Sequence, residues 1–236
     1  MIRFYWVIFI SFPLVIYYIC KAEYVCRHED RFSEAYRFNV AKGMIRVVKR
    51  NAFIRTKAYG RERLPKKGGY VLYPNHQGKY DVLGIMDEFD RPCSVMIDEK
   101  RSRVPLTDQF IKLVRGVRLD RGDFRAQVRA FENVVQGLKE GRRYIIFPEG
   151  GYDGNRNRVL DFLPGAFKFA VRSKSPIVPV ALIDSYRPFE ENSLLPVTTQ
   201  VHFLEPIYYE EYKDLSTKQI AQTVRHRIIS AIEAYT

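Results

Sequence analysis

Residues 70–81 read Tyr70-Val71-Leu72-Tyr73-Pro74-Asn75-His76-Gln77-Gly78-Lys79-Tyr80-Asp81: a short apolar run followed at once by a polar cluster. A run of five apolar-rich residues is too short for a buried helix and reads as a strand covered on both faces. Polar residues just beyond such a strand lie at the sheet edge where α/β folds present their ligand sites. A second stretch repeats the arrangement, with Tyr144-Ile145-Ile146-Phe147-Pro148 leading into Glu149-Gly150-Gly151-Tyr152.

Outward from these two stretches, short apolar runs begin at 94 (SVMID), 117 (VRLD), 177 (IVPVAL) and 201 (VHFLE). Between and after them lie longer stretches with helical periodicity: 124–139, 164–173 and 216–234, the last opened by Ser216 or Thr217. Alternating strands and helices predict an α/β domain with a largely parallel sheet flanked by helices. A chain of 236 residues with 46% hydrophobic content can bury one sizeable core, so a single catalytic domain is expected over 57–236.

The amino-terminal segment differs in kind. Residues 4–20, FYWVIFISFPLVIYYIC, carry no charge and lie between Arg3 and Lys21. As one helix they would rise roughly 25 Å at about 1.5 Å per residue, slightly short of a hydrocarbon core of about 30 Å. The expectation is an N-terminal hydrophobic helix that spans marginally or lies half-inserted. A cleaved signal is disfavoured, because no small-residue cleavage pattern is present. Basic residues are heavier after the segment (Lys21, Arg27, Arg31, Arg37), which places the remainder on the cytoplasmic face of the cell membrane. Apolar residues at Val25, Phe32, Tyr36, Val40, Met44 and Val47 or Val48 predict a second, amphipathic helix within 22–56. Residues 1–56 are thus expected to form a membrane-anchoring helical segment.

The formal charge of +12 favours an anionic partner. No alternation of aromatic and basic residues of the kind that stacks bases is present, so nucleic acid is not expected and an anionic membrane surface is. Cys20, Cys26 and Cys93 have no paired-ligand spacing, which argues against a disulfide framework and against a zinc site. No metal is expected.

His76 and Asp81 are separated by four residues, so a turn between them lets the carboxylate reach one imidazole nitrogen. That contact fixes the tautomer and leaves the other nitrogen to accept a proton. Glu149 is placed to hold a hydroxyl or to orient a phosphate-binding cation, and Gly150 and Gly151 allow close backbone approach to a ligand.

Together the two stretches resemble the glycerolipid acyltransferase family, which includes 1-acylglycerol-3-phosphate acyltransferases. The resemblance covers most of residues 70–185. Asn75, His76 and Asp81 match its first motif; Val117-Arg118-Leu119-Asp120-Arg121 looks like its second; Phe147-Pro148-Glu149-Gly150 matches its third. Ile177-Val178-Pro179-Val180-Ala181-Leu182 looks like its fourth, and Pro164-Gly165-Ala166-Phe167-Lys168 fits the usual sequence before it.

The resemblance implies transfer of a fatty acyl group from a thioester, on coenzyme A or acyl carrier protein, to a lysophospholipid hydroxyl, with lysophosphatidate as the leading acceptor. It implies His76 as general base, Asp81 as its orienting partner, and direct attack without an acyl-enzyme. No Gly-x-Ser-x-Gly elbow is present and no cysteine neighbours the histidine, in keeping with direct attack. By the same resemblance Arg121 binds the acceptor's phosphate, with Asn75, Glu149, Gly150 and Gly151 in the substrate pocket. No cofactor is implied beyond the acyl donor.

Two departures bear on the acceptor: Gly151-Tyr152 stands where the family usually has Thr-Arg, and Arg115 falls where the second motif usually opens on glycine. The alternatives are another acyl acceptor, a lipid ester or thioester hydrolase, a metal-dependent phosphoesterase using His76, Asp81 and Glu149, and a basic peripheral membrane module.

Overall fold

The computed structural model describes residues 2–236. Its centre is a seven-stranded sheet in the order β1-β7-β6-β2-β5-β3-β4. The strands are β1 (Ile54–Tyr59), β2 (Tyr70–Pro74), β3 (Ser94–Asp98), β4 (Val117–Leu119), β5 (Arg143–Ile145), β6 (Ile177–Ile183) and β7 (Val197–Phe203). All neighbouring pairs are parallel except β6 with β7. The helices are α1 (Ile2–Ile10), α2 (Phe12–Arg27), α3 (Glu34–Asn51), α4 (Asp81–Asp87), α5 (Glu99–Ser102) and α6 (Thr107–Leu113), then α7 (Phe124–Lys139), α8 (Lys168–Ser173), α9 (Arg187–Glu190), α10 (Tyr209–Tyr212) and α11 (Thr217–Tyr235). The expected α/β class, with a mostly parallel sheet flanked by helices and preceded by N-terminal helices, is the one observed.

Every residue of β2 and β6 is buried, which accounts for their unbroken apolar sequences. Their side chains alternate between two cores. Leu72, Val178, Val180 and Leu182 join residues of α2, α3, α4 and α6 on one face. Val71, Tyr73, Ile177 and Ala181 join α7, α8 and α11 on the other. Pro179 interrupts neither layer; β6 accommodates it between β2 and β7.

α7 and α11 begin where their caps stand: the Asp123 side chain accepts from the Ala126 amide, and the Ser216 hydroxyl from the Gln219 amide. α11 then buries Ile220, Val224, Ile228 and Ile232, one residue per turn.

The amino-terminal region departs from a single straight helix. α1 and α2 meet at Ser11 with a bend of 73°. Pro13, in the first turn of α2, has no amide hydrogen to give to the carbonyl four residues back, so the helical ladder breaks there. Among the described residues no single helix is long and apolar enough to cross a membrane, although the bent pair passes by length and composition together. The periodic stretch beginning at 22 is also divided: its first residues complete α2, and α3 starts afresh after Ser33, whose hydroxyl caps the Tyr36 amide.

Ile8, Phe9, Ile10, Phe12, Ile16 and Tyr17 project from the bent pair as exposed apolar side chains. Arg3 faces the other way. It is buried and donates to the carbonyls of Arg187 and Pro188 in α9 and of Leu195 just before β7. α1 is thereby fastened to the segment between β6 and β7.

Candidate active site

β2 and β5 end side by side, so the polar residues that follow them converge at one edge of the sheet. Asn75, fully buried, continues the contact between β2 and β6 with its side chain. It donates to the Leu182 carbonyl at 3.1 Å and accepts from the Leu182 amide at 2.7 Å.

The chain then turns, and Asp81 at the start of α4 comes back to His76. Its Oδ2 lies 2.7 Å from His76 Nδ1 and also accepts from the Gln77 amide at 2.6 Å and the Gly78 amide at 2.9 Å. An oxygen already accepting two backbone hydrogens is an acceptor toward the imidazole too, which puts the ring hydrogen on Nδ1. Nε2 then carries the lone pair, and it makes no hydrogen bond to any described residue. The imidazole is clasped by aromatics: it stacks on Phe147 at 4.1 Å and meets the edge of Tyr152 at 4.5 Å. Asp81 is wholly buried, whereas the His76 side chain keeps 16% of its surface exposed. A ring so oriented can take a proton from a hydroxyl that reaches Nε2.

Glu149 acts on the backbone of the same turn. Its Oε1 accepts from the His76 amide at 3.1 Å. Burial, with a contribution from the neighbouring Asp81 charge, pushes the Glu149 carboxyl up to about 7 despite its backbone donors. Gly150 adopts a left-handed conformation with φ +71°, and a Cβ there would come within 2.9 Å of Leu163. Its carbonyl accepts from Arg121 Nη2 at 2.7 Å, while Arg121 Nε stands 3.8 Å from Asp98 at the end of β3. Gly151 has open space where a side chain would begin. The structure therefore brings Asn75, His76, Asp81, Arg121, Glu149, Gly150 and Gly151 to one edge of the sheet. Among the described residues no group of three or more His, Cys, Asp or Glu side chains is arranged to hold a metal ion.

Several residues that sequence reasoning did not single out complete the site. Asn155 is buried and donates to the His76 carbonyl at 2.9 Å and the Arg158 carbonyl at 2.8 Å. Gln77 donates to Asn157 Oδ1 and to the Leu182 carbonyl, and accepts from the Ser185 amide. Asn157 in turn is bonded to Asp184 through both its amide nitrogen and its oxygen. Gln77 lies inside the first polar cluster, and the only signal for Asn155 and Asn157 is a loop rich in Asn, Gly and Asp after Gly151, with no helical or strand period.

The model of the family described as Acyltransferase matches residues 55–183, more than half of the chain. A 1-acyl-sn-glycerol-3-phosphate acyltransferase of Borreliella burgdorferi is 25% identical over 204 residues, covering 83% of this chain and 79% of that protein. The proteins of that name from Saccharomyces cerevisiae and, as the alpha form, from Homo sapiens are 26% and 28% identical. Their alignments cover 82% and 75% of this chain, but only 65% and 63% of the relatives, so the chain spans under two thirds of their length. Among solved structures, the crystal structure of the 1-acyl-sn-glycerophosphate acyltransferase PlsC from Thermotoga maritima superposes with a TM-score of 0.80. It covers 99% of this chain and 94% of that one at 20% identity, a likeness of fold. The chain belongs to the acyltransferase family.

Proposed function

We propose that the protein transfers a fatty acyl group from an acyl thioester, carried on coenzyme A or on acyl carrier protein, to the free hydroxyl of a lysophospholipid. The acceptor proposed first is 1-acylglycerol-3-phosphate, which would give phosphatidate. The observation that carries this reading is the hydrogen bond from His76 Nδ1 to Asp81, which leaves Nε2 free as a base. The names of the relatives support the acceptor.

In this mechanism Nε2 removes the proton of the acceptor hydroxyl as its oxygen attacks the thioester carbonyl. The tetrahedral intermediate collapses with cleavage of the carbon–sulfur bond, and the proton held on Nε2 passes to the departing thiolate. Asp81 stabilises the imidazolium formed between the two steps. Arg121 contributes positive charge to the acceptor's phosphate, and Asn75, Glu149, Gly150 and Gly151 shape the pocket around it.

The same reading places the enzyme on the cell membrane with its catalytic domain on the cytoplasmic face. The exposed apolar side chains of α1 and α2 and the basic residues that follow them support an association with an anionic lipid surface. The test is transfer from a radiolabelled acyl thioester to a panel of lysolipids by purified, detergent-solubilised protein. Labelled phosphatidate formed from lysophosphatidate supports the proposal. Release of free fatty acid at the same rate with and without acceptor would replace transfer by hydrolysis.

A further inference from the structure

Beside the catalytic turn lies a cavity of about 250 Å³ lined by Arg156, Tyr186, Glu190 and Glu191. Both of its walls are fastened to that turn. Arg156 stands between Asn155, which holds the His76 carbonyl, and Asn157, which holds Gln77. Tyr186 follows Ser185, whose amide is held by the same Gln77 side chain at 2.7 Å. A Cβ at Gly78 would lie 3.5 Å from the Tyr186 Cα and 3.6 Å from Glu190 Oε1, so α9 abuts the turn itself. Behind it, Arg3 of α1 holds two of the α9 carbonyls.

The charges in this cavity are arranged unusually. Glu191 is satisfied by Arg187 at 2.8 Å. Arg156 has only the face of the Tyr186 ring, 5.8 Å from its guanidinium carbon, and makes no ion pair or hydrogen bond through its side chain to any described residue. The Glu190 carboxylate makes none either. One guanidinium and one carboxylate thus line the same space, attracting each other without forming an ion pair. Arg156 is also held with φ +50°, a backbone conformation uncommon for a residue of this kind.

Arg121 is already engaged by the Gly150 carbonyl and stands beside the Asp98 carboxylate. The position at which the family pattern has a second arginine holds Tyr152, packed against the catalytic ring. In this cavity a dianionic head would meet the Glu190 carboxylate, whose charge Arg156 and Lys79 offset in part. A phosphodiester bears one negative charge, and an ammonium at its end would pair with Glu190 while its phosphate met Arg156.

We infer that this cavity is a second part of the acceptor's head-group site, beside the part held by Arg121, and that it takes a zwitterionic phosphodiester, Arg156 binding the phosphate and Glu190 the ammonium. The protein then acylates amine-bearing lysophospholipids in addition to the phosphate monoester. The inference rests on the acyl-transfer reading for its catalytic consequence, though not for the binding itself.

The experiment compares lysophosphatidylethanolamine with lysophosphatidate at fixed ionic strength, using wild-type protein, Glu190→Gln and Arg156→Gln. The ratio of kcat/KM for the amine-bearing acceptor to that for the monoester should fall about 10-fold or more in Glu190→Gln, mainly through KM, as expected for loss of one charge-assisted contact. Arg156→Gln should lower kcat/KM for both acceptors. In parallel, equilibrium binding of the two labelled lysolipids is measured on His76→Ala protein with and without Glu190→Gln.

An unchanged ratio overturns the inference, as does wild-type protein that acylates lysophosphatidate but neither binds nor acylates the amine-bearing lipid. Binding that depends on Glu190 without any acyl transfer would leave the subsite standing and overturn the transfer reading instead.

Discussion

Asp81 meets His76 across one turn of chain, its Oδ2 2.7 Å from Nδ1, and the same oxygen is held by the amides of Gln77 and Gly78. The carboxylate is therefore fixed before it fixes the ring. Asp81→Asn can keep an oxygen facing the two amides but no longer gives the imidazole a charged acceptor. It should lower kcat by about 100-fold or more with little change in KM, the pattern of a lost tautomer and lost imidazolium stabilisation. Steady-state kinetics beside a circular dichroism spectrum checks this; a proportionate loss of helical signal would assign the effect to folding instead.

Glu149 gives the fold a pH dependence of definite sign. Its carboxyl is raised from 4.5 to about 7, so the folded state binds this proton more tightly than the unfolded chain. The associated stability is fully present below about pH 4.5 and is lost as pH rises through 7. Glu149→Gln cannot titrate, so the difference in Tm between wild type and variant should change steadily between pH 4.5 and 7 and flatten above about pH 8. Parallel Tm curves through that window would contradict the assignment.

Gly150 needs its left-handed φ, and its carbonyl anchors Arg121. Gly150→Ala places a methyl group within 2.9 Å of Leu163 and imposes backbone strain on the order of 1–3 kcal/mol. Thermal unfolding should show the loss of stability. Kinetics should show KM for the acceptor rising, because the guanidinium loses its resting place. Stability and KM both at wild-type levels would remove Gly150 from the account.

Arg3 ties α1 to α9, and replacing it leaves the carbonyls of Pro188 and Leu195 without that donor, while the Arg187 carbonyl keeps the Glu191 amide. Arg3→Ala should cost at least about 2 kcal/mol if α1 folds with the rest of the molecule, since each buried acceptor left unpaired costs about 1–3 kcal/mol. Urea unfolding measures it. A wild-type midpoint would mean that α1 adds nothing to the stability of the body.

The outer face of the bent pair makes a separate claim. Phe9 and Phe12 are 79% and 59% exposed. Burying one phenylalanine in an apolar environment is worth about 1.5–3 kcal/mol. The double substitution Phe9→Glu, Phe12→Glu should reduce co-sedimentation with anionic phospholipid vesicles by at least about 10-fold, while raised salt weakens wild-type binding. Equal co-sedimentation of variant and wild type would exclude this face from the lipid contact.

What the sequence disclosed followed from strong local signals. β2 and β6 are legible because strands buried on both faces have no polar positions to confuse the pattern. α7 spans 124–139 as expected because Asp123 caps it and its apolar positions keep one period. β1 is not legible in the sequence: it is an edge strand with burial alternating along it, and Arg55 and Lys57 break up its apolar content. The break at Ser11 was hidden by continuous hydrophobicity, and only Pro13 hinted at it. In the sequence Arg3 is only the charged flank of an apolar segment, because a residue held by carbonyls some 185 positions away leaves no local trace. The same reason hid Asn155, Asn157 and the α9 wall, whose roles arise from contacts between distant loops.

The most direct test of the central claim is single-turnover acyl transfer to lysophosphatidate by wild-type protein and by His76→Ala, with enzyme in excess over labelled acyl thioester. If His76 is the base, the rate of product formation should fall by about 100-fold or more while binding of the thioester persists. Transfer by His76→Ala at a rate within a few-fold of wild type would contradict the account.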